Sequence, residues 1–398
     1  MKKGKILTLL GVSMMSTVAF AGWTGKDGTL HVQNSFRVGY DDNYYMSTDN
    51  EEGTPFVTDI LNISGELNFS SRTDLLLYWQ PEFRYFMDNN IDSQAVSYQD
   101  VYARLSHLVS QRLSVQVSDH FRYQQKDGRS DLGRTGNQNY FQNTLQGAMD
   151  VAVSELGSLK VSGGYDLRRW DDRDYGDDND YDHYDADLSF FHEIRPDTTK
   201  GLVGAAYADH VYRDSDRGDW YSVTAFGGVD HIFTPNVTGI LRLGGTYSRV
   251  DLKNDDNTSV SPYLKAGLDY APTQRTSFNL AAGYSFQQSD NSIYNGEEGF
   301  NVAIGLRHDL TAKISLATSL TYIYSMFDGD YFRDDLGSGF KIDDTKENYF
   351  KYSLRGSYQI NRNNFLDAGY EYTYRNSDTT YLTDYNRNRF DIGWRLRL

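Results

Sequence analysis

Phe390-Asp391-Ile392-Gly393-Trp394-Arg395-Leu396-Arg397-Leu398 (FDIGWRLRL) alternates apolar and polar side chains without a break. Strict alternation is a strand with one apolar and one polar face. Such a strand fits two settings. In a soluble sheet the apolar face looks into a core. In a membrane barrel it looks at lipid, and the polar face looks into a lumen. The rest of the chain has to separate the two.

The N-terminus reads as a targeting segment. Lys2, Lys3 and Lys5 precede an apolar run from Ile6 to Phe20, and Ala19-Phe20-Ala21 is a small-x-small cleavage site. Residues 1–21 are therefore expected to be a secretory signal peptide, and 22–398 the mature protein. Removing its three lysines from 39 Lys+Arg, against 55 Asp+Glu, leaves a net charge of −19. That balance argues against nucleic acid as a partner. With no cysteine, disulfides and thiolate metal sites are excluded. Mean hydropathy is −0.63, and no later apolar run approaches the length of a membrane helix. Yet the chain holds 32 Tyr and 21 Phe, far too aromatic for a disordered acidic polymer.

Residues 30–398 divide into eighteen alternating segments, from Leu30–Tyr40 to Asn386–Leu398. Their connections alternate in length. Ser71-Arg72, Thr311-Ala312 and Asn361 to Asn364 are short; Asp41 to Thr58, Gln125 to Gln138 and Asp328 to Asn348 are long. Eight short and nine long connections put both ends of the barrel on the short-turn side. This is the pattern of a bacterial outer-membrane barrel, with an even strand number, tight periplasmic turns and longer outer loops. A soluble sandwich gives no reason for such alternation. Tyr123, Tyr165, Tyr207, Tyr247, Tyr284, Tyr324 and Tyr370 recur near the outer ends of successive upward strands, as an aromatic girdle would. Pro81 falls inside the third segment, where a bulge is expected.

Catalytic signals are lacking, and the chain is expected not to be an enzyme. His107, His192, His231 and His308 each end a downward strand, an interfacial placement. Asp209 and His210 are neighbours on one strand and point to opposite faces. The acidic run Asp171 to Asp182 lacks calcium-loop spacing, so no metal or other cofactor is expected. The polar faces are more informative. Arg84, Arg104 and Arg122 are expected at similar height on three adjacent strands. Arg168 lies further round, Lys351, Arg355 and Arg389 form a second basic region, and Glu371 is among the inward acids. Asp185, Asp187 and Glu193 lie on the eighth segment. Opposed basic and acidic walls would order water and favour polar solutes. A mutually neutralising network serving stability is the alternative. Inward aromatics, among them Tyr140, Trp220 and Tyr263, leave a sugar path open.

Two stretches carry resemblances. Asp391 to Leu398 reads polar-x-Gly-x-x-apolar-x-apolar, which resembles the C-terminal signal read by the outer-membrane assembly machinery, with Leu398 at the usual terminal aromatic position. Phe36 to Tyr45 (FRVGYDDNYY) resembles the N-terminal signature of the putative beta-barrel porin 2 family. That resemblance implies an outer-membrane barrel, and some members of the family accompany exopolysaccharide secretion. The expectation is an all-β, transmembrane, antiparallel up-and-down barrel of about 18 strands. It would sit in the outer membrane among lipid and lipopolysaccharide and pass small polar solutes, sugars among them. Export or assembly of exopolysaccharide, and a non-conducting surface role, are the competing functions. Homo-oligomerisation stays open.

Overall fold

The computed structural model describes residues 24–25, 28–48, 51–88, 94–125, 139–171, 179–213, 218–251, 256–287, 296–328, 331–332, 341–342, 344–378 and 384–398. Eighteen long strands form the wall. They are β1 (Gly28–Asp41), β2 (Thr54–Ser70), β3 (Thr73–Phe86), β4 (Ala95–Ser110), β5 (Leu113–Gln125) and β6 (Asn139–Ala152). Next come β7 (Gly157–Trp170), β8 (Tyr181–Arg195), β9 (Thr199–Tyr212), β10 (Asp219–Thr234), β11 (Val237–Asp251) and β12 (Asp256–Thr273). The last six are β13 (Thr276–Gln287), β14 (Gly296–Asp309), β15 (Ile314–Asp328), β16 (Thr345–Gln359), β17 (Asn364–Ser377) and β18 (Tyr385–Arg397). Each pairs antiparallel with its sequence neighbours, and β1 pairs with β18, so the sheet closes. A barrel has no unpaired edge, which is what permits strands in lipid.

The ladder registers accumulate a stagger of about 22 residues per circuit, which for eighteen strands sets a tilt of ~40° and a backbone radius of ~17 Å. Partner residues share a face, so the alternation can be followed round the wall. Val38, Tyr40, Trp79, Leu145, Leu188, Val203, Leu243 and Ile392 are exposed on the outer face. The seven girdle tyrosines share that face. Tyr165 donates to Asp182 (2.6 Å), Tyr284 to Glu298 (2.7 Å) and Tyr370 to Asn388 (2.8 Å), each acceptor lying nearer the loops. At the other end three histidines face outward beside a threonine hydroxyl. Thr73–His107 and Thr199–His231 are 2.8 Å apart, and Thr276–His308 is 2.9 Å. Aromatic and amphipathic side chains thus mark both boundaries of the lipid-facing band.

Pro81 makes no bulge. The registers with β2 and β4 run past it unchanged; the ladder to β2 lapses over Leu61 and Asn62, while Pro81 still faces Gln99 on β4. The missing N–H falls on one side only, so one ladder loses a link and the other keeps its own. Two short elements were not foreseen. Thr24–Gly25 pairs with β1 at Thr29 and Gly28, beyond the point where β18 ends, and Tyr331–Phe332 pairs with Lys341–Ile342 in the loop after β15.

Candidate functional site: the lumen

Inward positions carry the chemistry. At the outer end of β1 the Asp41 carboxylate is fully buried. It accepts hydrogen bonds from Arg387 Nε (2.7 Å) and Nη2, and from Arg389 Nη2 (3.0 Å), both on β18. Lower on the same wall Arg355 grips Asp391 through two bonds of 3.0 Å, with Arg37 Nε 3.9 Å from the same carboxylate. Arg395 holds Asp367 at 2.8 and 3.0 Å, and Lys351 lies 3.2 Å from Glu371. A second fully buried pair, Arg375 to Glu347 (2.6 and 2.9 Å), sits at the outer ends of β16 and β17. Bidentate carboxylate–guanidinium geometry fixes both side chains. The wall of β16, β17, β18 and β1 is therefore a rigid lattice of charges, not a brush of mobile ones.

The arginines on β3 to β7 are held more loosely. Arg84 pairs with Glu82 (2.7 Å) and lies over Phe56 and Tyr98, 5.7 and 5.6 Å from the ring centroids. Arg122 donates to Gln142 (2.9 Å), which donates on to Asp166 (2.9 Å). Arg168 stacks on Tyr140 (4.7 Å) and Tyr181 (5.1 Å). Arg104 makes no ion pair among the described residues. The Nε atoms of Arg37, Arg84, Arg104 and Arg122 are buried without a hydrogen-bond partner.

The charged residues expected on the lumen wall all face it, but not all stand where expected. Arg84, Arg104 and Arg122 are not level. Arg84 faces Val96 on β4 and Arg122 faces Asp100, while Arg104 lies four residues further along β4, so the middle arginine sits nearer the periplasmic end than both its neighbours. Glu193 is separate from Asp185 and Asp187. It lies near the periplasmic end of β8 with Lys200 (3.3 Å), whereas Asp187 accepts from Ser189 (2.8 Å) higher up. Asp185 and Asp187 are eight strands from β18, almost diametrically across from its arginines.

The first long connection contributes what sequence reasoning missed. Asn43, Tyr44 and Met46 are nearly fully buried. Tyr44 packs with Phe56, Phe86 and Val96, which are inward residues of β2, β3 and β4, and its ring is 4.6 Å from that of Phe86. Asn43 pins this loop by donating to the Asn386 carbonyl (2.9 Å) and the Ser47 carbonyl (2.8 Å). The segment thus folds into the lumen beside Arg84 and Arg389, whose guanidinium groups both lie 5.7 Å from the Phe56 ring. The aromatic pair Tyr44-Tyr45 within a polar loop was the available signal. Most of the Asp328 to Asn348 connection and of the acidic Asp171 to Asp182 run lies outside the described residues, as do residues 1–21.

A closed eighteen-strand antiparallel barrel with a polar, charged interior and an aromatic-bounded apolar exterior is a bacterial outer-membrane β-barrel of porin type. The chain belongs to the putative beta-barrel porin 2 family, whose family model matches residues 29–398. No curated protein matches it in sequence. Among solved structures it is similar to the FrpB iron transporter of Neisseria meningitidis (F5-1 variant), at 11% identity and a TM-score of 0.52, covering 94% of this chain and 70% of that one. A BenF-like porin from Pseudomonas fluorescens Pf-5 aligns at 11% identity and 0.48, covering 94% and 99%. OccAB3 of Acinetobacter baumannii aligns at 11% and 0.47, covering 93% and 99%. At these identities the likeness is one of fold.

Proposed function

We propose that the barrel is a passive diffusion channel for small polar solutes and that its arginine arc favours anionic ones. The observation that carries this reading is the set of inward guanidinium groups on β1, β3, β4 and β5 whose buried Nε atoms have no partner. A positive arc on β1 and β3 to β5, with Asp185 and Asp187 on β8 three strands beyond its edge, grades the field round the wall and concentrates anions along the arc. A backbone radius of ~17 Å leaves an aqueous lumen after side chains are added. The inward-folded Tyr44 segment narrows that lumen next to Arg84 and Arg389, where a solute would be read most closely. Arg84, Arg104, Arg122, Arg168, Lys351, Arg355, Glu371, Arg389, Asp185, Asp187 and Glu193 are assigned to the pore lining on this reading.

Refolded protein in a planar bilayer tests it. Stable ohmic steps with a reversal potential on the anion side are expected, and Arg104→Ala with Arg122→Ala should move that potential toward zero. Protein that shows the heat-modifiable gel mobility of a folded barrel yet never conducts would sink the channel reading.

A further inference from the structure

The periplasmic rim carries one side-chain arrangement built twice. In the β2–β3 turn the Arg72 amide donates to Ser70 Oγ (3.1 Å), and Ser70 Oγ donates to Thr73 Oγ1 (3.1 Å). Thr73 Oγ1 lies 2.8 Å from His107 Nδ1, its partner across the β3–β4 ladder. In the β12–β13 turn the Arg275 amide donates to Thr273 Oγ1 (3.2 Å), which donates to Thr276 Oγ1 (3.1 Å). Thr276 Oγ1 lies 2.9 Å from His308 Nδ1, its partner on β14. Both turns read hydroxyl-x-Arg-Thr, and they stand nearly opposite one another round the wall. A hydroxyl accepting from the amide two residues on closes a tight turn, which accounts for the first link of each chain only. The third dyad, Thr199–His231, has Thr198 where an arginine precedes Thr73 and Thr276.

The direction of donation fixes the histidines. A hydroxyl carries one proton. Thr73 accepts from Ser70, so its own proton goes to His107 Nδ1, and the ring proton then sits on Nε2. The same holds for Thr276 and His308. Each imidazole is thereby set to donate from its far nitrogen. Both rings are outward and half-buried at the edge of the lipid-facing band, and Arg72 and Arg275 are exposed in the turns beside them. Arg72, Thr73 and His107 line one polar groove of about 540 Å³, which inward Asp74 and Asp150 border on the lumen side. A guanidinium and an imidazole N–H on a lipid-facing rim suit a singly charged phosphodiester. The periplasmic connections together favour an anionic lipid: they hold Arg72, Arg112, Arg275, Lys313 and Arg362 against Glu155 and Asp197, in a chain of net charge −16. We propose that each relay, with its arginine, is a binding site for the headgroup phosphate of an anionic phospholipid in the periplasmic leaflet, one site at His107 and one at His308.

The test is native mass spectrometry of the protein purified from outer membranes, delipidated in detergent and titrated with phosphatidylglycerol. Two tightly held lipids are expected. Arg72→Gln with His107→Phe should weaken one of them roughly tenfold, and adding Arg275→Gln with His308→Phe should weaken both. Thr73→Val should also weaken the first site, because His107 loses the donor that keeps its proton on Nε2. Arg112→Gln, in a turn followed by Leu113 and no Thr–His dyad, should weaken neither. Heat-modifiable mobility verifies that each variant folds. Unchanged lipid retention in the fourfold variant, an equal loss from Arg112→Gln, or displacement of the lipid by inorganic phosphate at the same concentration would overturn the proposal. The measurement involves no conduction, so failure here is distinguishable from failure of the channel function.

Discussion

Asp41→Asn is the most telling single change in the lumen. The carboxylate is fully buried and neutralises two guanidinium groups, on Arg387 and Arg389. The amide keeps the shape but presents one acceptor oxygen and no charge, leaving Arg387 unmatched in a site where it is itself 7% exposed. Removing one partner of a buried ion pair costs about 3–5 kcal/mol. The wet lumen beside Arg389 relieves part of this, so a loss of about 3 kcal/mol, or roughly a hundredfold in the folded-to-unfolded ratio, is expected. The assay is urea titration of the protein in lipid vesicles, read by gel mobility without boiling and by tryptophan fluorescence. Asp41→Asn with Arg387→Gln removes the stranded charge and should recover at least half of the loss. A destabilisation below about 0.5 kcal/mol, or a double variant as unstable as the sum of the singles, would refute a lattice held by this carboxylate.

Three further outcomes are expected. Tyr44→Ala should enlarge the single-channel conductance, because the inward loop loses the ring that seats it on Phe56, Phe86 and Val96; an unchanged step size would remove that loop from the conduction path. Each lumen guanidinium contributes on the order of 0.5 kcal/mol to anion preference at an intermediate effective dielectric. Arg104→Ala with Arg122→Ala should therefore shift the anion-to-cation permeability ratio about threefold or more in dilute salt, and much less at 1 M, as reversal potentials would report. Pro81→Ala should leave the register intact and supply the missing N–H to the β2 ladder, seen as a slowly exchanging amide at position 81. A shift of pairing between β3 and β4 would contradict the one-sided ladder gap.

The wall was largely legible because its two rules are local. Period two tells which side chains share a face, as at Arg84, Glu371 and Asp185, and the alternation of short and long connections gives strand number and direction. Register is different. Whether Arg104 stands beside Arg122 or four residues below it depends on where Leu108 and Leu113 enter their shared turn, which alternation does not encode. Asp41, Arg387, Arg375 and Glu347 lie on the same inward parity as Arg37, Arg389, Glu371 and Lys351. Asp41, Glu347 and Arg375 escaped because polar residues near a strand end read as loop, whereas Arg387 lay within the last segment and its inward parity went unused. Tyr44 escaped for a related reason, since a loop that folds back onto the wall leaves no periodic trace.

The nine partner pairs joining β1 to β18 are fewer than the fourteen joining β1 to β2. They also bring together residues at opposite ends of the chain, as Asp41 and Arg387 are. Face alternation cannot guard this seam against a slip of two residues, because every side chain would keep its side. The charges can. In the native register Asp41 faces Arg389. One such slip sets it against Asp391, carboxylate to carboxylate, whereas the opposite slip sets it against Arg387 and carries Arg389 to Gly39. The ion pairs at the seam therefore act as a one-way proofreading device: they refuse the slip that would bring carboxylate to carboxylate.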